Sequence, residues 1–208
     1  MSVKKLFILL LLLLATRQAQ AQRYLFFLHN RYLELYGTEG VHPQYGRVEY
    51  AEVIHWFTNQ GFTVISEIRP ASTDAATYAR KVALQVDSLL QHGTPPAHIT
   101  IIGTSKGGYI AQLACGLIAN PAVSYVFIGS CNGSSAINGV QYIGRILSIY
   151  ERSDSLGQSC APIRKDKNNK PAACQEIELN TGMQHGFLYK ALPQWMQPAA
   201  RWARHEQM

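Results

Sequence analysis

Two glycines, Gly103 and Gly107, enclose the segment that most narrows how this chain can fold. Ahead of them runs His98-Ile99-Thr100-Ile101-Ile102, an apolar, β-branched stretch that reads as a buried strand. Behind them, Gly108 through Cys115 reads as a helix with small and apolar residues on one face. A strand that passes straight into a helix over Gly-Thr-Ser-Lys-Gly must turn very tightly. A Cβ at either glycine would collide with the neighbouring strand or helix. Such a turn lifts the Ser105 hydroxyl to the top of the sheet, beside a helix N-terminus. The five-residue pattern alone occurs often by chance; its place between a strand and a helix makes it specific.

The rest of the chain alternates in the same way. Strand-like runs fall near residues 24–28, 62–68, 98–102, 123–128, 145–150 and 175–179, with helical patterns near 47–60, 74–92, 106–119 and 187–205. Gly61 and Gly93 stand where helix C-cap glycines belong. Ser72, Thr73 or Asp74 can cap the second helix. Short apolar strands alternating with helices imply an α/β fold: a mostly parallel sheet of about six strands, covered on both faces. The expected arrangement is one domain over residues 22–208, without internal repeats. The connection over 129–144 has room for a short helix at most, so no large lid is expected.

Two later loops carry the groups that an activated serine needs. Arg145 through Tyr150 reads as a late strand, and Asp154 lies four residues beyond it, with Glu151 and Asp166 as alternatives if the strands are shifted. Gln175 through Leu179 reads as the last strand, and its loop carries His185-Gly186-Phe187 ahead of the terminal helix. A Gly-x-Ser-x-Gly turn followed along the chain by an acid and then a histidine resembles the α/β-hydrolase superfamily. Within it the chain looks closest to small secreted bacterial serine hydrolases of esterase type with a Ser-Lys-Gly elbow.

That resemblance implies roles for particular residues. Ser105 is the nucleophile and His185 the base that takes its proton. Asp154 holds the imidazole in the right tautomer. The backbone N–H of Lys106 is the first oxyanion donor, while the Lys106 side chain is expected to point into solvent. The second donor comes from His29-Asn30-Arg31, the loop after the first strand, with Arg31 favoured over Asn30. Asn30 stands where related enzymes carry glycine, a mild departure because asparagine tolerates positive φ. His29 is expected to support this loop through its ring nitrogens and to stand among the substrate-contacting residues.

Lys4 and Lys5 precede the apolar run Leu6–Ala15, and Ala19-Gln20-Ala21 supplies a small-x-small pattern. Residues 1–21 therefore read as a secretory signal peptide cleaved after Ala21, and the protein as secreted or periplasmic. Ten apolar residues are too few for a bilayer span, which needs about 20, so no membrane association is expected after cleavage. Loss of Lys4, Lys5 and Arg17 lowers the formal charge from +6 to +3, a balance too mild to imply nucleic-acid binding.

Export permits disulfides. Cys160 and Cys174 bracket a polar loop and are the expected pair, which in the chain-entropy model contributes about 3 kcal/mol; Cys115 and Cys131 are expected to be free thiols. No metal-ligand spacing of the C-x-x-C kind is present, and no nucleotide-binding glycine loop, so no cofactor is expected. The expected substrate is a small-molecule or polymer-borne ester, met by a monomer. Tyr36 and Tyr45, in the loop from Glu34 to Gly46, are candidates for a substrate wall. Arg31 and Arg69 follow the first and second strands and could bind an anionic group on the substrate, unless Arg69 pairs with Glu67 or Asp74.

Overall fold

The strands alternate their side chains across a sheet that is buried on both sides. On β1 (Arg23–Leu28), Leu25 and Phe27 enter one core while Phe26 and Leu28 enter the other. The computed structural model describes residues 22–132, 137 and 139–208. The expected signal peptide lies outside them. After β1 come a short helix α1 (Arg31–Tyr36), a small antiparallel ribbon β2 (Val41–His42) and β3 (Gly46–Arg47), and α2 (Tyr50–Asn59). Then follow β4 (Phe62–Ile65), α3 (Ala75–Gln91), β5 (Ile99–Thr104), α4 (Lys106–Ile118) and β6 (Ser124–Ile128). The chain ends with β7 (Arg145–Glu151), α5 (Ala161–Lys165), β8 (Ala173–Leu179) and α6 (Pro193–Ala203).

The six long strands form one sheet in the order β4-β1-β5-β6-β7-β8, and every pair is parallel. Their near-continuous apolar runs suit a sheet with both faces covered. One core joins Phe27, Ile102, Val126 and Leu147 to Phe57 of α2 and Trp195 and Met196 of α6. The other joins Phe26, Ile101 and Tyr125 to Val82 and Val86 of α3 and Ile110 and Ala114 of α4. Asp74 is the residue that caps α3, accepting from Thr77 N–H at 2.8 Å. Gly61 and Gly93 end α2 and α3 at positive φ.

Several differences from the sequence expectation lie at element ends. The first long helix starts at Tyr50 rather than 47, because Gly46-Arg47 pair with Val41-His42. The stretch around 187 is a 3₁₀ turn (Gln184–Tyr189), and α6 begins only at Pro193, a residue suited to the first helical turn. Residues 31–36, read as loop, are helical. No insertion large enough for a lid stands between the strands among the described residues, and no described helix is long and apolar enough to cross a membrane.

The disulfide joins Cys131 to Cys160, not Cys160 to Cys174. Adjacent strands β6 and β7 bring their following loops together. Cys131 bridges Gln158 in antiparallel fashion, which places the Cα atoms of Cys131 and Cys160 5.3 Å apart, within disulfide range. Cys174 on β8 and Cys115 in α4 are free, and burial pushes the Cys115 thiol up to about 12.

Candidate active site

Ser105 occupies a conformation that side chains rarely adopt, with φ 50° and ψ −119°. Its N–H donates to Ile128 O at 2.9 Å, which ties the turn to β6. A Cβ at Gly103 would overlap the Gly107 backbone, and one at Gly107 would overlap the carbonyls of Leu28 and His29. The turn therefore closes only with glycine at both places, and that closeness sets the loop after β1 directly against it. A strained backbone held this firmly is characteristic of functional turns.

Three strand-end loops converge on the hydroxyl. Ser105 Oγ lies 3.0 Å from His185 Nε2, and His185 Nδ1 lies 2.6 Å from Asp154 Oδ2. The Asp154 side chain is 1% exposed and that of His185 16% exposed, so the carboxylate is sealed while the imidazole edge reaches solvent. Asp154 Oδ1 accepts from Leu156 N–H at 2.9 Å, which fixes the second oxygen. The two alternative acids lie elsewhere. Glu151 is buried and bonded to neutral donors, and Asp166 accepts from Asn168 N–H beyond α5.

Lys106 and Arg31 each open a helix, α4 and α1, and the first N–H groups of a helix have no acceptor within it. Both helix N-termini follow strands that pair with one another, β5 and β1. Asn30 does not use positive φ: its φ is −70°, and its side chain caps α1 by accepting from Leu33 N–H at 3.3 Å. The departure from glycine is thus explained by helix capping.

His29 and Arg69 are corrections to the substrate-contact expectation, because each is 1% exposed. His29 Nε2 accepts from Arg69 N–H at 2.9 Å, so its proton sits on Nδ1 and donates to Asn30 O at 2.7 Å. Burial, aided by the Arg69 charge, holds this imidazole down at about 4, and it is neutral. Its ring nitrogens do hold the loop. Arg69 Nε pairs with Glu34 Oε1 at 2.7 Å, rather than with Glu67 or Asp74, and its Nη2 donates to His29 O.

The Lys106 side chain also turns inward. Its ammonium reaches Glu34 Oε2 at 2.5 Å and Thr73 O at 2.8 Å. Glu34, with a fully buried side chain, is therefore shared by two cations. Sequence reasoning missed it. The available signal was an acid three residues beyond Arg31, within an otherwise apolar and aromatic run.

Tyr45 packs against Gly186, beside His185, and donates its hydroxyl to Gln184 Oε1 at 3.2 Å. Its ring stacks on His42, and Tyr32 links His42 to Tyr36, whose ring is open to solvent. These rings form one aromatic cluster, with Tyr45 against the histidine turn and Tyr36 exposed at its outer edge.

No protein-family model and no curated protein matches this chain. Solved structures do. SOBER1 from Arabidopsis thaliana is 14% identical over 89% of this chain and 99% of its own, with a TM-score of 0.57. Esterase PE8 is 12% identical over 90% of this chain and 94% of its own, at 0.59. XC6422 from Xanthomonas campestris, described as an α/β serine hydrolase without lid, is 16% identical over 89% and 84%, at 0.53. Likeness at such identities speaks to architecture alone. An all-parallel sheet in this strand order, turned at Ser105 and matched by these structures over most of its length, makes this an α/β-hydrolase fold.

Proposed function

We propose that the protein is a serine hydrolase that cleaves carboxylic esters through an acyl-enzyme. The observation that carries this reading is the unbroken contact from Ser105 Oγ to His185 Nε2 and from His185 Nδ1 to Asp154 Oδ2, at 3.0 and 2.6 Å. His185 takes the serine proton as the oxygen attacks the carbonyl, and returns it to the departing alcohol. The sealed Asp154 holds the imidazole with Nε2 towards the serine and stabilises the imidazolium. The N–H groups of Lys106 and Arg31 meet the charge that builds on the carbonyl oxygen. Loss of one such donor typically costs about 10²–10³ in rate. Water then attacks the acyl-enzyme with His185 again as base.

A site with no lid among the described residues suits small or medium soluble esters, or ester groups carried on a polymer, with Tyr45 and Tyr36 as one wall. Thioester cleavage, peptide cleavage and acyl transfer use the same parts. The expected setting is outside the cytoplasm. The basic and apolar residues 1–21 support export, and the Cys131–Cys160 bond fits an oxidising compartment.

A fluorophosphonate probe with mass-spectrometric mapping tests the reading. One adduct on Ser105, absent from Ser105→Ala and His185→Ala, is the expected result. Correctly folded protein that takes no label would sink it and leave a hydrolase-fold binding protein. A panel of esters, thioesters and peptides then ranks the substrate classes.

A further inference from the structure

A second carboxylate lies behind the Asp154–His185 pair and touches neither residue through its own oxygens. Glu151, the last residue of β7, is 0% exposed. Its Oε2 accepts from Thr181 N–H at 2.7 Å and Thr181 Oγ at 2.8 Å. Its Oε1 accepts from Ser153 Oγ at 2.9 Å and from the N–H groups of Ser153 and Gly182, each at 3.3 Å. Every one of these donors is neutral. A buried charge without a counter-ion persists only where hydrogen bonds replace its lost hydration. Here burial, which by itself raises the carboxyl pKa, is outweighed by the Thr181 and Ser153 donors, and the group is held below its ordinary value.

The donors come from two loops: Ser153 from the acid turn, Thr181 and Gly182 from the histidine loop. Ser153 Oγ donates to Glu151 and in turn accepts from Gln184 N–H at 3.1 Å. Ser153 immediately precedes Asp154, and Gln184 immediately precedes His185. A bond between the two loops therefore runs one residue away from the Asp154–His185 bond, and Glu151 anchors it. We propose that Glu151 is a positioning residue, whose carboxylate locks the acid turn to the histidine loop and so sets the alignment of Asp154 with His185. Glutamine cannot take its place. Its amide would present a donor to the N–H and O–H groups that now converge on an acceptor.

This inference rests on the serine-hydrolase reading. It is tested by measuring p-nitrophenyl acetate hydrolysis per fluorophosphonate-reactive serine across pH for the wild type, Glu151→Gln and Ser153→Ala. A misplacement of about 1 Å costs up to about 100-fold, so Glu151→Gln is expected to lose about 10–100-fold in kcat with little change in KM. The acid limb of its kcat/KM profile moves to lower pH, because a poorly aligned Asp154 stabilises the imidazolium less. Ser153→Ala removes the cross-loop bond but keeps the carboxylate, and is expected to lose about 3–10-fold with a shift of the same sign. It decides the matter if Glu151→Gln does not fold. Folded variants with wild-type kcat per labelled serine and an unmoved limb, differing only in Tm, would reduce Glu151 to a structural residue. Absence of labelling in the wild type would overturn the parent reading and this one with it.

Discussion

Two buried carboxylates flank the Ser105 turn, and they are held in opposite ways. Glu34, on the side of the proposed oxyanion donors, is shared between the Arg69 guanidinium and the Lys106 ammonium. Glu151, on the side of the acid and the histidine, is held by hydroxyl and backbone donors alone. An ionic junction depends on charges at the ends of side chains, so one substitution strands a buried charge. A junction of neutral donors depends on where two backbones run, so it registers geometry more than charge. The first ties two helix N-termini together through Glu34 of α1 and Lys106 of α4. The second ties two loops, and the Cys131–Cys160 bond staples the far end of that same side.

The comparison predicts its largest stability effect at Glu34. Glu34→Gln leaves Arg69 buried without its carboxylate and is expected to cost about 3–5 kcal/mol, measured by denaturant unfolding. Arg69→Met added to Glu34→Gln should recover much of that loss. A double variant as unstable as the single one would mean that shape rather than charge holds this junction. For Glu151 no such rescue exists, since the neighbouring Arg152 pairs with Glu178 and not with it.

On the opposite side, the chain-entropy model assigns the Cys131–Cys160 bond, with 29 residues of separation, about 3–4 kcal/mol. Replacing both cysteines with serine should lower the unfolding free energy by that amount, whereas Cys174→Ser should leave it nearly unchanged. Equal losses in the two variants would argue against the observed pairing.

Acid should weaken the oxyanion side through His29. Its pKa is about 4 in the folded chain and near 6.5 when unfolded. Its stabilising contribution is thus complete above pH 6.5 and is lost as pH falls towards 4, by about 3 kcal/mol. Burial also lowers His98 and His205, so the diagnostic quantity is the difference between wild type and His29→Gln. Parallel stability–pH curves over this window would rule out the His29 contribution.

The smallest effect is expected at Lys106. Its side chain is 22% exposed, and a methionine there keeps the backbone N–H and most of the packing. Lys106→Met should lose about 1 kcal/mol of stability and only a few-fold in kcat. A loss comparable with that of Glu34→Gln would show that Lys106, not Arg69, governs the junction.

Much of this site was legible in the chain itself. Ser105, Asp154 and His185 each sit just past an apolar run, and in a parallel sheet all the loops after strands open on one edge. Gly103 and Gly107 mark their turn because no other residue fits there. Asn30 is less legible, because its φ of −70° and its capping bond belong to a helix too short to show a hydrophobic period.

The sequence by itself determined the strands and the Ser105 turn, because these follow from local apolar pattern and backbone sterics, while the order of the three proposed catalytic residues is what the resemblance to α/β-hydrolases implies. Tertiary structure alone decided which loops meet. β4 lies beside β1, which sets Arg69 on His29; β1 lies beside β5, which sets Glu34 on Lys106. In the same way β6 beside β7 joins Cys131 to Cys160, and β7 beside β8 joins Glu151 to Thr181. Each of these pairs is drawn together by neighbouring strands rather than by nearness along the chain. That is why Cys174, 14 residues from Cys160, lost its expected partner to Cys131, 29 residues away.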